Sequence, residues 1–174
     1  MSTRSEFTKY LKSMGEEELR KELQGLFKRF RDVKLHYTME LGGDAERKKV
    51  FDKAKKDIRN MYFIKNKPRK RPRVAKSKQI LKELDSVSVF THELVDLYLY
   101  VTEVSMDYLM RRYRSTASAY NSCKDAFAKA INLIAKTALH DEFKKRCGML
   151  AQLAMEIPEM DSAINNLYRE QFKA

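Results

Sequence analysis

The stretch SVFTHELVDLYLYVTEVSMDYLMRRYR, Ser88 to Arg114, decides the fold. At about 100° per residue, Leu94, Leu97, Tyr98, Val101, Val104, Tyr108 and Leu109 share one helical arc, which Val95, Leu99 and Met106 widen. An apolar face this broad predicts a central helix of roughly 25 residues with little exposure to solvent. Its one polar edge is a stripe about 80° wide, carrying Glu93, Asp96, Tyr100, Glu103 and Asp107.

The same three-four spacing runs outward in both directions. Toward the N-terminus, Thr3-x-x-Glu6 reads as a capping box ahead of Phe7, Tyr10, Leu11 and Met14. Gly15 breaks that helix, and three glutamates open the next, which carries Leu19, Leu23, Leu26, Phe27 and Phe30. A short continuation from Asp32 to Leu41 ends at Gly42-Gly43. Asp44 then caps a helix with Val50, Phe51, Ala54, Ile58 and Tyr62 facing inward. Val74 to Leu84 forms a short helix through Ile80, Leu81 and Leu84. Beyond a break at Ser115 to Ser118, Tyr120, Cys123, Phe127, Ile131, Ile134 and Ala138 form a stripe. Asp141 to Met155 follows with Phe143, Cys147, Leu150 and Ala154, and Pro158 is placed in the first turn of a last helix ending near Phe172. No segment sustains a period of two, and there is no Asn-Gly or Asp-Gly turn, so no strand is expected. The expectation is an all-α chain of seven to nine helices forming one domain. Its N-terminal helices span 3–64, an extended basic connection 65–73, and the C-terminal helices 74–173.

Of 174 residues, 43% are hydrophobic and 34% charged, which is a globular composition and too apolar for a disordered tail. No apolar run approaches the roughly 20 residues that cross a bilayer, and the N-terminus lacks the h-region of a secretory signal. Membrane association is therefore not expected. Cys123 and Cys147 stand 24 apart without a C-x-x-C, a pattern that favours reduced thiols and a cytoplasmic setting.

Charge is concentrated. Between Asp44 and Lys78, 15 Lys or Arg stand against four acids, a local net of +11 out of the chain's +12. Within this region IKNKPRKRPRVAKSK, Ile64 to Lys78, has eight cations, two prolines and no acid. Pro68 and Pro72 bias the chain to extended conformations, and the guanidinium fork of arginine suits phosphate. Lys65, Lys67, Arg69, Lys70, Arg71, Arg73, Lys76 and Lys78 are therefore the candidate contacts to a polyanion, the backbone of RNA or DNA, with the basic helix before them enlarging the patch. Tyr62 and Phe63, just ahead of the stretch, serve either as core anchors or as a base-stacking platform. In a nucleus PRKRPR would also read as an import signal.

Two other function classes stay open. One is an interaction scaffold that meets an acidic protein partner, or a second copy, through the basic patch. The other is a carboxylate-site metalloenzyme on the long helix, for which the sequence supplies neither a repeated Glu-x-x-His nor the second His that HELVD, His92 to Asp96, would need. His36 and Glu40 lie one turn apart, and Cys147 lies two turns after His140 on an apolar stripe. No Walker loop, G-x-S-x-G or G-x-G-x-x-G is present, so no reaction, cofactor or catalytic residue is assigned. The acid stripe itself is either solvated, paired with the basic helix, or functional.

Three stretches carry a resemblance: EFTKYLKSMGEEELRKELQGLFKRF at the start, MYFIKNKPRKRPRVAKSKQI in the middle and YNSCKDAFAKAINLIAKTALHDEFKKRC near the end. With them the chain resembles an uncharacterised bacterial family catalogued as domain of unknown function 6155. It departs from that family after Cys147, where GMLAQLAMEIPEMDSA stands in place of a segment with Gly and Trp. The resemblance implies a helical fold and brings no activity, substrate or catalytic residue.

Overall fold

The long helix is present and central to its unit, α6 in the numbering below. In the computed structural model, which describes residues 3–88, 90–112 and 116–172, it spans Thr91–Met110 and buries 12 of its 20 residues. It is shorter than its pattern at both ends. Phe90 takes an extended conformation as N-cap, with its N–H donated to the Ser88 hydroxyl at 3.3 Å. Arg112 already lies outside the helix, and Arg114, the predicted end, falls outside the described residues.

Nine helices and one minimal hairpin make up the described residues, in two units, Met1–Gly42 and Gly43–Ala174. The first holds α1 (Thr3–Ser13), α2 (Glu16–Arg29) and α3 (Arg31–Leu41). Gly15 breaks α1 from α2 as its position predicts. Its N–H donates to Glu18 Oε2 at 2.9 Å, so the acidic first turn also caps the helix. Within this unit α2 packs on α3, and Phe27 meets Tyr37 with ring centroids 6.4 Å apart. None of the described residues of α1 or α2 is buried.

The second unit contains α4 (Asp44–Tyr62), the strands β1 (Phe63–Ile64) and β2 (Lys67–Pro68), α5 (Val74–Val87), α6, α7 (Ala117–Ala135), α8 (His140–Ala154) and α9 (Asp161–Phe172). Around α6 pack α4, α5, α7 and α8, with α7 the most extensive neighbour. The inward stripes match their spacing: Phe51, Ala54, Ile58 and Tyr62 on α4, Cys123, Phe127, Ile131 and Ile134 on α7, and Phe143, Cys147, Leu150 and Ala154 on α8 are buried. Side chains one turn apart on each helix face the same neighbour, so apolar burial fixes its orientation. Gly148 marks a close crossing, since a Cβ there would sit 3.0 Å from the Tyr168 hydroxyl on α9.

Two helix starts differ from the expectation. Gly43 rather than Asp44 is the N-cap of α4, because the Asp44 carboxylate turns to Arg47 within the first turn. Pro158 precedes α9 by three residues, and Glu159 between them adopts a left-handed φ of 64°. The expectation of no strand also fails, since β1 and β2 pair antiparallel with Phe63 opposite Pro68 and Ile64 opposite Lys67. The connecting residues Lys65 and Asn66 have φ of 46° and 63°. A two-residue loop with both φ values positive is the hairpin turn that matches strand twist, and asparagine tolerates that region better than most residues. The turn forms without the glycine that normally signals it.

Candidate polyanion-binding face

An α-helix leaves its last four carbonyls without partners. At the end of α4 these carbonyls determine where the basic stretch lies. The Arg69 N–H donates to the Tyr62 carbonyl at 2.8 Å, and the Arg73 N–H donates to the Met61 carbonyl at 2.9 Å. Arg69 Nε donates to the Asn60 carbonyl at 2.8 Å. From the other side, the Tyr108 hydroxyl donates to the Arg69 carbonyl at 3.0 Å and the Arg112 guanidinium to the Lys70 carbonyl at 2.9 Å. The expected extended connection is thus a strap whose backbone is bonded to the C-terminal ends of both α4 and α6.

Beneath the strap, Tyr62 and Phe63 are buried. The Tyr62 hydroxyl bonds with Ser122 at 2.9 Å and accepts from Ser105 at 3.1 Å. Phe63 lies under the guanidinium groups of Arg59 and Arg111, at 4.8 and 5.7 Å from its ring centroid. Both aromatics are core anchors, with no face left for a base to stack on.

The eight strap cations divide into two groups. Lys78 pairs with Asp125 at 2.7 Å, and Arg69 is half-buried with its Nε on the Asn60 carbonyl. Lys65, Lys67, Lys70, Arg71, Arg73 and Lys76 are exposed, and no acid among the described residues pairs with any of them. The negative end of the α4 dipole beneath them supplies about half a charge, far short of neutralising six.

α4 itself does not extend the patch as expected. Arg47 lies 3.5 Å from Glu93, Lys55 2.5 Å from Asp96, and Arg59 3.6 Å from Asp107. The acid stripe of α6 is therefore paired with the basic helix. Arg146 from α8 completes the arrangement, at 2.5 Å from Asp96 and 2.7 Å from Glu103. Burial alone would raise the Asp96 pKa, but its bonds to Lys55 and Arg146 hold it below the usual 3.8. The remaining α4 cations, Lys48, Lys49, Lys53 and Lys56, alternate with Glu46, Asp52 and Asp57, giving a mixed-sign surface.

The other chemical candidates have structural partners as well. Each acid of the stripe faces a cation, and no group of three His, Cys, Asp or Glu suited to a metal occurs among the described residues. His36 pairs with Glu40 at 3.1 Å and His92 with Glu142 at 2.6 Å. His140 meets the Gln171 carbonyl at 2.9 Å and packs at a tilt against Phe172, while Cys147 is buried. Burial pushes both thiols up to about 12, against the effect of Arg146 in the case of Cys147. A cleft of about 300 Å³ opens between α5, α6 and α7, lined in part by the ion pairs Lys78–Asp125 and Lys129–Asp85. Burial and Asp85 push the Tyr98 phenol on its wall up to about 12.

Sequence reading missed Tyr108 and Arg112, which support the strap. Tyr108 fell within the apolar arc of α6, and the only local signal for Arg112 was the Arg111-Arg112 pair at a helix end, where cations are ordinary. Among the described residues no helix is long and apolar enough to cross a membrane. Comparison with curated proteins and with solved structures gives no match. A family model does match, over residues 1–169, and the chain belongs to the family of unknown function DUF6155.

Proposed function

We propose that the chain binds the phosphate backbone of RNA or DNA through the strap, without reading sequence. The observation that carries this reading is the set of six exposed, unpaired cations at Lys65, Lys67, Lys70, Arg71, Arg73 and Lys76 on a backbone held by hydrogen bonds. Elsewhere in this unit, Arg47, Lys55 and Arg59 of α4 pair with acids of α6 and the other α4 lysines are interspersed with acids, whereas the strap runs from Lys65 to Lys78 without an acid. Like charges at this density repel, and a polyanion relieves the repulsion while releasing its own counterions. Backbone contacts position a ligand and carry no sequence information, and the sequence shows no helix-turn-helix, RNP or zinc-finger motif beside the strap. The proposed role is binding, with no reaction assigned to it.

Fluorescence anisotropy with labelled single-stranded RNA and duplex DNA tests the reading. Binding at about 50 mM salt that weakens steeply as salt rises, equally for unrelated sequences, is the expected result. Absence of binding to either nucleic acid under those conditions refutes it. Binding of poly-glutamate alone would transfer the surface to an acidic protein partner.

A further inference from the structure

Along the acid stripe of α6, charge is balanced at one end and not at the other. Toward the start of the helix, Glu93, Asp96 and Glu103 face Arg47, Lys55 and Arg146, one cation for each acid. At the C-terminal end a single carboxylate, Asp107, is shared by two guanidinium groups, Arg59 at 3.6 Å and Arg111 at 2.5 Å. Arg112, the next residue, donates to the Lys70 carbonyl, so this end of α6 is in contact with the strap. Three arginines against one acid leave a net of +2, and the negative end of the α6 dipole offsets only about half a charge.

Arg111 is the group placed to use that excess. Its Nε donates to Asp107 Oδ1, its two Nη groups bond to no described residue, and the side chain is 50% exposed. Both Arg111 and Arg59 lie over the Phe63 ring, which is itself buried against Tyr108. Ring and carboxylate hold the Arg111 guanidinium in place before any ligand arrives, so less side-chain freedom is lost on binding. A guanidinium with two neighbouring nitrogens free matches two oxygens of a phosphate. Phe63 opens the hairpin that carries Lys65 and Lys67, and Arg112 holds the carbonyl of Lys70, so Arg111 adjoins the strap on both counts. We infer that Arg111, held by Phe63 and Asp107, is a phosphate contact, and that the nucleic-acid face continues from the strap onto the C-terminal end of α6. This rests on the strap binding a nucleic-acid backbone.

Salt titrations of the wild type, Arg111→Gln and Asp107→Asn against labelled duplex DNA test this. One phosphate beyond those met by the strap steepens the log–log slope by about 0.9. Arg111→Gln should therefore be shallower by that amount, a difference of about 3.5-fold over a fourfold rise in salt. Arg111 is half-exposed, so far-ultraviolet circular dichroism should not change. Asp107→Asn keeps the shape of the side chain but removes the negative charge beside the guanidinium, and should bind roughly three- to fivefold more tightly. Arginines that served only to hold the fold would give no such gain. Circular dichroism checks each variant, and if Asp107→Asn is unfolded, the slope of Arg111→Gln decides. An unchanged slope for Arg111→Gln, or a folded Asp107→Asn that binds no more tightly than the wild type, overturns this inference and leaves the strap reading standing. A wild type that binds neither RNA nor DNA overturns both.

Discussion

Replacing Lys67, Lys70, Arg71 and Arg73 with serine removes four of the six unpaired strap cations and spares Arg69, whose guanidinium supports the backbone. If about five phosphates are met in the wild type, binding to duplex DNA should fall with salt at a log–log slope near −4.5, and to single strands near −3.5. Raising salt fourfold from about 50 mM then costs the wild type roughly 500-fold in duplex affinity. The variant, left with Lys65 and Lys76, should show a slope near −1.8 and lose only about 12-fold over the same range. Unrelated sequences should weaken alike, because positioning contacts carry no base information. The four side chains are exposed and unpaired, so the change in stability should stay within about 0.5 kcal/mol. Anisotropy titrations at several salt concentrations, with a thermal melt of each protein, supply both readouts. A variant with the wild-type slope would refute the assignment of these cations to phosphate contact. A variant that melts much earlier would show that the strap side chains hold the fold.

Asp96→Ala should destabilise the protein by about 2–3 kcal/mol, because it deprives the half-buried Lys55 and Arg146 of a charged acceptor; chemical denaturation would measure it. The folded-state pKa of Asp96 is depressed, so its contribution is fully present above the unfolded value near 3.9. It is lost as pH falls through the folded value, and the gap between wild type and Asp96→Ala should therefore close on acidification below about pH 4. Both cysteines should react slowly with a thiol reagent in the native state and fast in denaturant, given thiols raised to about 12; rapid native labelling of Cys147 would contradict the packing of α8. Asn66→Val should cost about 1–2 kcal/mol through its left-handed φ, whereas Asn66→Gly should be tolerated, as paired melts would show.

Helices were legible where the information is local. Phe51 to Tyr62 and Cys123 to Ile134 reveal their buried faces by spacing alone, since residues three and four apart share a face in any helix. The partners of the acid stripe were not legible. Arg146 lies 50 residues from Asp96 in sequence and reaches it only after α8 packs on α6. The strap shows both cases. Its charge and prolines were visible, but its fixed path depends on where α4 stops and exposes the carbonyls of Asn60, Met61 and Tyr62. The hairpin escaped notice because Lys65-Asn66 performs a turn usually signalled by glycine. On α1 and α2 the stripes could be read, but their exposure could not, because a periodic pattern does not reveal what lies against it.

The hydrogen bonds between the strap and the ends of α4 and α6 also bear on the thermodynamics of association. A disordered basic tail must freeze its backbone when it meets a polyanion, at about 1–2 kcal/mol per residue. From Arg69 to Arg73 that ordering has already taken place during folding, so it is not subtracted again when a ligand arrives. Only side-chain rotamers remain to be restricted. The strap should therefore hold more affinity per charge than a free peptide of the same sequence. Its separate parts should also tolerate change differently: one cation can replace another along the strap, while Tyr108 and Arg112, which need never touch the ligand, set whether the cations present one rigid surface or a flexible chain.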